Sequence, residues 1–163
     1  MSAGELGSAL SVNRDFTSLA PKFAAAVTAA IAACQQEGLD AWVYEGYRSA
    51  ELQALYYARG RTIIPPTATV TNAPTNLLSW HGYGLAVDVI SKSLFWKPRE
   101  GEHWFARVAE IFKQHDCRWG GDWTHPDTPH FQWAACKPSP SPIAQQLIRS
   151  KGVEAVWTVV GAL

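Results

Sequence analysis

The stretch Ser79-Trp80-His81-Gly82-Tyr83-Gly84-Leu85-Ala86-Val87-Asp88 constrains this chain more than any other. It sets one histidine and one aspartate seven residues apart, with a glycine-permissive turn between them. The aspartate sits inside an apolar run, Leu85 to Ile90, that reads as a buried strand. Alternation sends Leu85, Val87 and Val89 to one face of that strand and Gly84, Ala86 and Asp88 to the other. A carboxylate is thereby aimed over a floor of very small residues. An unpaired buried charge is costly, so Asp88 needs a partner, and a cation shared with His81 would supply one. His81 alone is as readily explained by packing as by ligation. A third ligand is what the argument then requires.

Around this stretch the chain reads as alternating helical and extended segments. Residues 1–16 are small and polar and suggest an irregular lead-in. A helix over about 18–37 follows, with Pro21 in its first turn, Phe23, Val27, Ala30 and Cys34 at helical spacing, and Gly38 at its end. Ala41 to Tyr44 begins a strand that runs into Glu45-Gly46-Tyr47-Arg48-Ser49, and Ser49 caps a second helix over about 50–59. Arg48 and Gln53 can face one cleft, although a simple pairing of Arg48 with Glu45 or Glu51 also fits the spacing. Residues 61–78 carry Thr, Pro and Asn without periodicity. A loop that long inside a compact domain is usually functional, and its place before the metal motif suggests that it closes over substrate.

Residues 91–100 read as a turn and 101–116 as a helix with Trp104, Phe105, Val108, Ile111 and Phe112 on its buried stripe. His103 and His115 lie more than three turns apart on it, cannot share one metal, and read as surface histidines. Glycines and prolines in Trp119 to Pro129 force a defined loop into a short strand at about 129–134. There His130 alternates with Phe131 and Trp133, so it points away from the apolar face. Two C-terminal helices, about 142–150 and 152–160, follow a proline-rich linker. No repeat and no second domain is visible, so 1–163 reads as one domain.

Composition removes several function classes. Fourteen Lys and Arg balance fourteen Asp and Glu, which gives no electrostatic stripe for nucleic acid. Cys34, Cys117 and Cys136 are too scattered for a disulfide framework or a thiolate zinc site and read as buried apolar thiols. No apolar run reaches membrane-spanning length, and the N-terminus lacks the basic and apolar regions of a signal peptide. Most of the eight tryptophans are expected in packing, with some lining a groove.

His81, Asp88 and His130 together make two histidines and one carboxylate, which leaves a fourth tetrahedral position open. That is the pattern of a catalytic zinc site, since structural sites are usually closed by four protein ligands. His125, held in the loop by Thr124 and Pro126, is the alternative to His130. Hydrolysis also needs a group to move the water's proton to the leaving amine. Asp127 is the candidate, although Asp before Thr-Pro is also an ordinary turn-former. Arg48 is the natural positive group for a substrate carboxylate or a developing oxyanion.

Three motifs then resemble one known family. Ser-x-His-x-x-Gly-x-Ala-x-Asp is matched from Ser79 to Asp88, Gly-Tyr-Arg-Ser-x-x-x-Gln from Gly46 to Gln53, and Trp-Gly-Gly-Asp-Trp with Asp-x-Pro-His from Trp119 to His130. In chain order Gly46–Gln53, Ser79–Asp88 and Trp119–His130, over about 42–134, they resemble the zinc-dependent D-alanyl-D-alanine carboxypeptidase and L-alanyl-D-glutamate endopeptidase family, which includes many bacteriophage endolysins. The resemblance implies an α+β fold, hedgehog/D-Ala-D-Ala peptidase-like, with a small antiparallel sheet carrying the metal and helices packed on the other side. It implies one Zn²⁺ per chain on His81, Asp88 and His130, with Asp127 as catalytic acid/base. Arg48 would contact the substrate or transition state, with Gln53 and Ser79 as supporting substrate-site residues. Leu77-Leu78 before Ser79 departs from the smaller approach expected there and bears on the cleft rim.

The function implied is a peptidoglycan peptidase acting on the wall stem peptide as a monomer, without nucleic acid or membrane insertion. The L-alanyl-D-glutamate bond is the expected target, in an endolysin-type role. Such an enzyme would be made in the host cytoplasm and act in the periplasm after release. The alternatives are a D-alanyl-D-alanine carboxypeptidase and, from another class, a non-catalytic zinc-binding module.

Overall fold

The computed structural model describes residues 2–163. Its elements run α1 (Ala3–Ala9), α2 (Pro21–Gln36), β1 (Ala41–Glu45), α3 (Ala50–Ala58), β2 (Ala86–Ser91), α4 (Glu102–Lys113), β3 (Cys117–Trp119), β4 (His130–Trp133), α5 (Pro142–Lys151) and α6 (Val153–Val159). The four strands form one antiparallel sheet in the order β1-β2-β4-β3. This is the expected α+β architecture. No helix among the described residues is long and apolar enough to cross a membrane.

Alternation divides the sheet into two chemically different faces. Val43 pairs with Val89, and Val87 with Phe131, and all four are buried. This apolar face packs against α2, through Phe23, Val27, Ala30 and Cys34, and α4, through Trp104, Phe105, Val108 and Phe112. The rings of Phe112 and Phe131 lie 4.4 Å apart, and Phe23 meets Trp133 edge-on at 6.4 Å. Burying each such ring stabilises the fold by about 1.5–3 kcal/mol, so the helices are held to this side by area alone. The opposite face carries Asp88 paired with His130, and Ala86 paired with Gln132. The polar residues therefore sit on the face that the helical layer does not cover.

Two local features were not read from the sequence. Residues 3–9 form α1, where an irregular lead-in was expected. A capping box explains it, with the Ser2 hydroxyl accepting from the Glu5 N–H and the Glu5 carboxylate accepting from the Ser2 N–H. Ser49 ties α1 to α3, donating to the Ala9 carbonyl while capping Leu52. The strand β3 is only three residues long, too short for periodicity to announce it, and it is defined by its pairing with β4.

The turn before β2 is fixed by close approach. Residues Trp80–Tyr83 make a 3₁₀ turn capped by the Ser79 side chain, and Gly84 ends it with φ +64°. A Cβ on Gly84 would lie 2.5 Å from the Ser18 carbonyl oxygen. Gly84→Ala is therefore expected to cost at least about 1–2 kcal/mol for the left-handed backbone alone, with the contact adding to it. Urea denaturation of the variant should show a lower midpoint, and an unchanged midpoint would contradict this reading of the turn.

Candidate metal centre

The turn and the two central strands bring the three ligand candidates together. His81 leaves the Ser79-capped turn, Asp88 lies on β2, and His130 begins β4 directly across from it. One atom from each of the three lies within 4.8 Å of the others. The His81 Nε2 is 3.3 Å from the Asp88 Oδ1, and the His130 Nδ1 is 3.8 Å from that same oxygen. Tetrahedral ligands around Zn²⁺ are separated by about 3.4 Å, so this set needs only a small contraction to close on an ion.

Each histidine presents a lone pair because its other nitrogen is engaged. His81 Nδ1–H donates to the Gly46 carbonyl at 2.8 Å, which frees Nε2. His130 Nε2–H donates to the Gln132 Oε1 at 2.8 Å, which frees Nδ1. The Gln132 amide cannot be turned round, because its nitrogen donates to the Cys136 and Lys137 carbonyls. Burial, then the neighbouring His81, lowers the His130 pKa to about 4, so the ring is neutral as a ligand must be. The donor set thus fits a divalent, borderline-soft cation.

Asp88 is held ionised. Burial opposes its charge, but His81, Arg48 and His130 together keep its carboxyl well below the usual range in the metal-free site. Arg48 is the hub of the support. Its Nε and Nη2 donate to the two Glu45 oxygens at 2.9 Å each, its Nη1 donates to the Gln53 Oε1 at 2.9 Å, and Nη2 reaches the Asp88 Oδ2 at 3.5 Å. Its guanidinium also stacks over Tyr56 at 4.8 Å. Four of its five N–H groups are committed, and one on Nη1 remains to offer the cleft.

The cleft itself has a volume of about 760 Å³. The metal triad and Arg48 form its floor, with Ser79 at the edge. Tyr44 and Trp96 form one wall, and Trp123, His125, Pro126 and Asp127 another. Asp127 is set by its loop: its N–H donates to the Gly120 carbonyl at 2.9 Å and its own carbonyl accepts from His130 N–H at 3.2 Å. The Trp119 indole pins the far side, donating to the Thr128 carbonyl. Water reaches Asp127, but the concave protein surface around it restricts solvation. That burial, then repulsion from Asp88, raises its pKa to about 6 against the pull of His81 and Arg48.

The remaining sequence candidates fall into place around this floor. Gln53 is fully buried, so it stands behind Arg48 as a supporting residue of the site. Its amide holds Arg48 on one side and the Thr71 hydroxyl and Ala73 carbonyl on the other. Residues 61–78 are tied down through these bonds and through Arg61, which donates to the Tyr57 and Thr71 carbonyls. Val70 to Ala73 accordingly stand as a third wall of the cleft. His125 lies exposed on the wall and outside the ligand cluster, and His103 is exposed on α4. Gln132, the Gly46 carbonyl and the Tyr44–Trp96 wall were missed in the sequence. Only Gln132 left a signal, as a polar residue two positions from His130 on the same strand face.

A family described as D-alanyl-D-alanine carboxypeptidase has a sequence model that matches residues 72–133. The resemblance to this peptidase family holds. Among curated proteins, the chain is similar to the peptidoglycan L-alanyl-D-glutamate endopeptidase CwlK of Bacillus subtilis (strain 168), at 32% identity. That similarity covers 62% of this chain and 65% of CwlK, so just under two thirds of the relative's length is spanned. Among solved structures, the LD-carboxypeptidase LdcB has a similar fold, with a TM-score of 0.56 at 17% identity, covering 90% of this chain and 73% of LdcB. The vancomycin-resistance D,D-pentapeptidase VanY, solved in complex with Zn(II), gives 0.50 at 19% identity, covering 82% of this chain and 80% of VanY. The two structures are likenesses of fold.

The raised Asp127 pKa carries a sign that can be checked in metal-free protein. The carboxyl ionises more easily unfolded than folded, so its penalty starts above the usual carboxylate pKa and is complete once pH passes about 6. Asp127→Asn should therefore raise the melting temperature at pH 7 and leave it unchanged near pH 3. Equal shifts at both pH values would show that the carboxyl's charge is not responsible.

Proposed function

We propose that this protein is a zinc-dependent peptidoglycan peptidase that hydrolyses the wall stem peptide, most specifically at the L-alanyl-D-glutamate bond. One observation carries the reading: a His-Asp-His set with two oriented lone pairs lines the same cleft as the carboxyl of Asp127 and the guanidinium of Arg48. CwlK's named activity supports the choice of bond, since the chain is 32% identical to it over 111 residues. The family description favours D-alanyl-D-alanine cleavage as the second reading.

His81, Asp88 and His130 would hold the ion, one per chain. When bound there, Zn²⁺ supplies Lewis acidity that polarises the scissile carbonyl and makes attack by water feasible at neutral pH. Asp127, on the cleft wall beside the triad, accepts the proton of the attacking water and returns it to the leaving amine. The uncommitted Nη1–H of Arg48 donates to the oxygen on which negative charge develops. Glu45 and Gln53 hold that donor still, so no reorganisation is needed during the reaction. The substrate places the site of action at the cell wall, and a lytic, endolysin-type role is the setting we assign to it.

The test is mass spectrometry of purified Gram-negative peptidoglycan after incubation with metal-loaded protein, beside a chelated control. Released peptides beginning at D-glutamate, with L-alanine retained on the glycan, are expected. Loss of a terminal D-alanine alone would replace the endopeptidase with the carboxypeptidase, and no change in either sample would favour a non-catalytic module. Asp127→Ala should lower turnover by at least about 100-fold while zinc stays bound. Gln132→Leu should instead weaken zinc about 10- to 100-fold in a competition with a chromophoric chelator, because it releases the His130 ring.

A further inference from the structure

The wall formed by Tyr44 and Trp96 has no part in the chemistry above, yet it is built with care. Trp96 is 45% exposed and meets Tyr44 edge-on, with centroids 4.7 Å apart and planes at 66°. Both residues line the same cavity as Asp88 and Arg48. Tyr44 in turn meets Trp42, and the exposed Arg14 guanidinium lies 4.7 Å over Trp42 and 4.9 Å over Tyr44. Arg14 makes no ion pair with a carboxylate among the described residues.

The turn that presents Trp96 is rigid. The Asp40 carboxylate accepts from the Ser91 hydroxyl and from both the N–H and hydroxyl of Ser93, and Leu94 N–H donates to the Ser91 hydroxyl. Ser91 and Phe95 exchange a pair of backbone hydrogen bonds, which hold Phe95 at φ +55°. A left-handed phenylalanine beside an exposed tryptophan costs the fold and gives its core nothing.

We propose that Trp96 and Tyr44 form a sugar subsite, taking the pyranose ring joined to the first residue of the stem peptide. This rests on the wall-peptide reading and extends it from the peptide to its glycan. A pyranose has a face of C–H groups carrying partial positive charge, which matches the negative face of an indole, while its hydroxyls need donors and acceptors at the rim. Arg14, stacked over Tyr44, holds that ring in place from outside the cleft lining. In the L-alanyl-D-glutamate bond, the sugar is one residue from the scissile carbonyl, about 3.5 Å of extended chain plus its lactyl link. A substrate seated on the metal floor therefore delivers its sugar to a cleft wall. A volume of about 760 Å³ leaves room for one pyranose ring beside the residues flanking the scissile bond.

The test compares two substrates: disaccharide-linked stem peptide released from peptidoglycan by a muramidase, and the same peptide freed of sugar by an amidase. In the unaltered protein, kcat/KM should be higher for the sugar-linked form. Trp96→Ala should reduce that preference about tenfold, chiefly through KM, and Trp96→Phe should restore most of it. An equal loss on both substrates, or no loss on either, would overturn the subsite and leave the peptidase reading intact. Binding is read separately by NMR, from the indole N–H resonance that Trp96→Ala removes. N-acetylglucosaminyl-N-acetylmuramic acid alone should shift that resonance. A shift without cleavage of either substrate would support the subsite and overturn the peptidase reading, and an unmoved resonance would overturn the subsite.

Discussion

The buried charge of Asp88 is the constraint around which the site is arranged. A carboxylate taken out of water in the middle of a sheet is tolerated only when every direction it faces supplies positive charge or a donor. Here the Arg48 guanidinium faces one oxygen, and the two imidazole lone pairs beside the other leave a place that a bound cation would fill. Breaking a buried pair of this kind costs about 3–5 kcal/mol, a large part of the about 5–15 kcal/mol by which a domain is stable. The same arrangement that makes the charge bearable also aims it, so stability and ligand geometry are one requirement.

Sheet architecture supplies that aim. The register shift between Val43 and Glu45 inserts Tyr44 as an extra residue and sets Glu45 opposite Asp88. Two facing carboxylates would repel, and Arg48 lies between them as their common counter-ion. Across the next pair, Asp88 stands opposite His130. A one-residue slip in either pairing would send these side chains into the helical layer, where Phe112 and Phe23 now pack. The apolar face therefore guards the register on which the polar face relies.

Much of this was legible in the residues. Alternation through Leu85 to Ile90 placed Asp88 on the polar face, and alternation through His130, Phe131 and Trp133 placed the second histidine there, because strand periodicity is strict over so few residues. What stayed hidden had nonlocal causes. The bulge at Tyr44 leaves no mark on composition, and the commitment of Gln53 depends on a loop twenty residues away. The Gly46 carbonyl that orients His81 belongs to the main chain, which every sequence has. Trp96 reads as one tryptophan among eight. Its meaning comes from a turn fixed by Asp40, fifty positions earlier.

The two histidines differ in how far heredity can reach them. Gln132 is a side chain, so any codon change there alters how firmly one ring is turned toward the centre. The Gly46 oxygen that fixes the other ring survives almost every codon change, being peptide rather than side chain. One half of the site is thus adjustable in small steps while the other is locked. A lineage carrying this fold could tune its hold on metal through a single position without first dismantling the cleft.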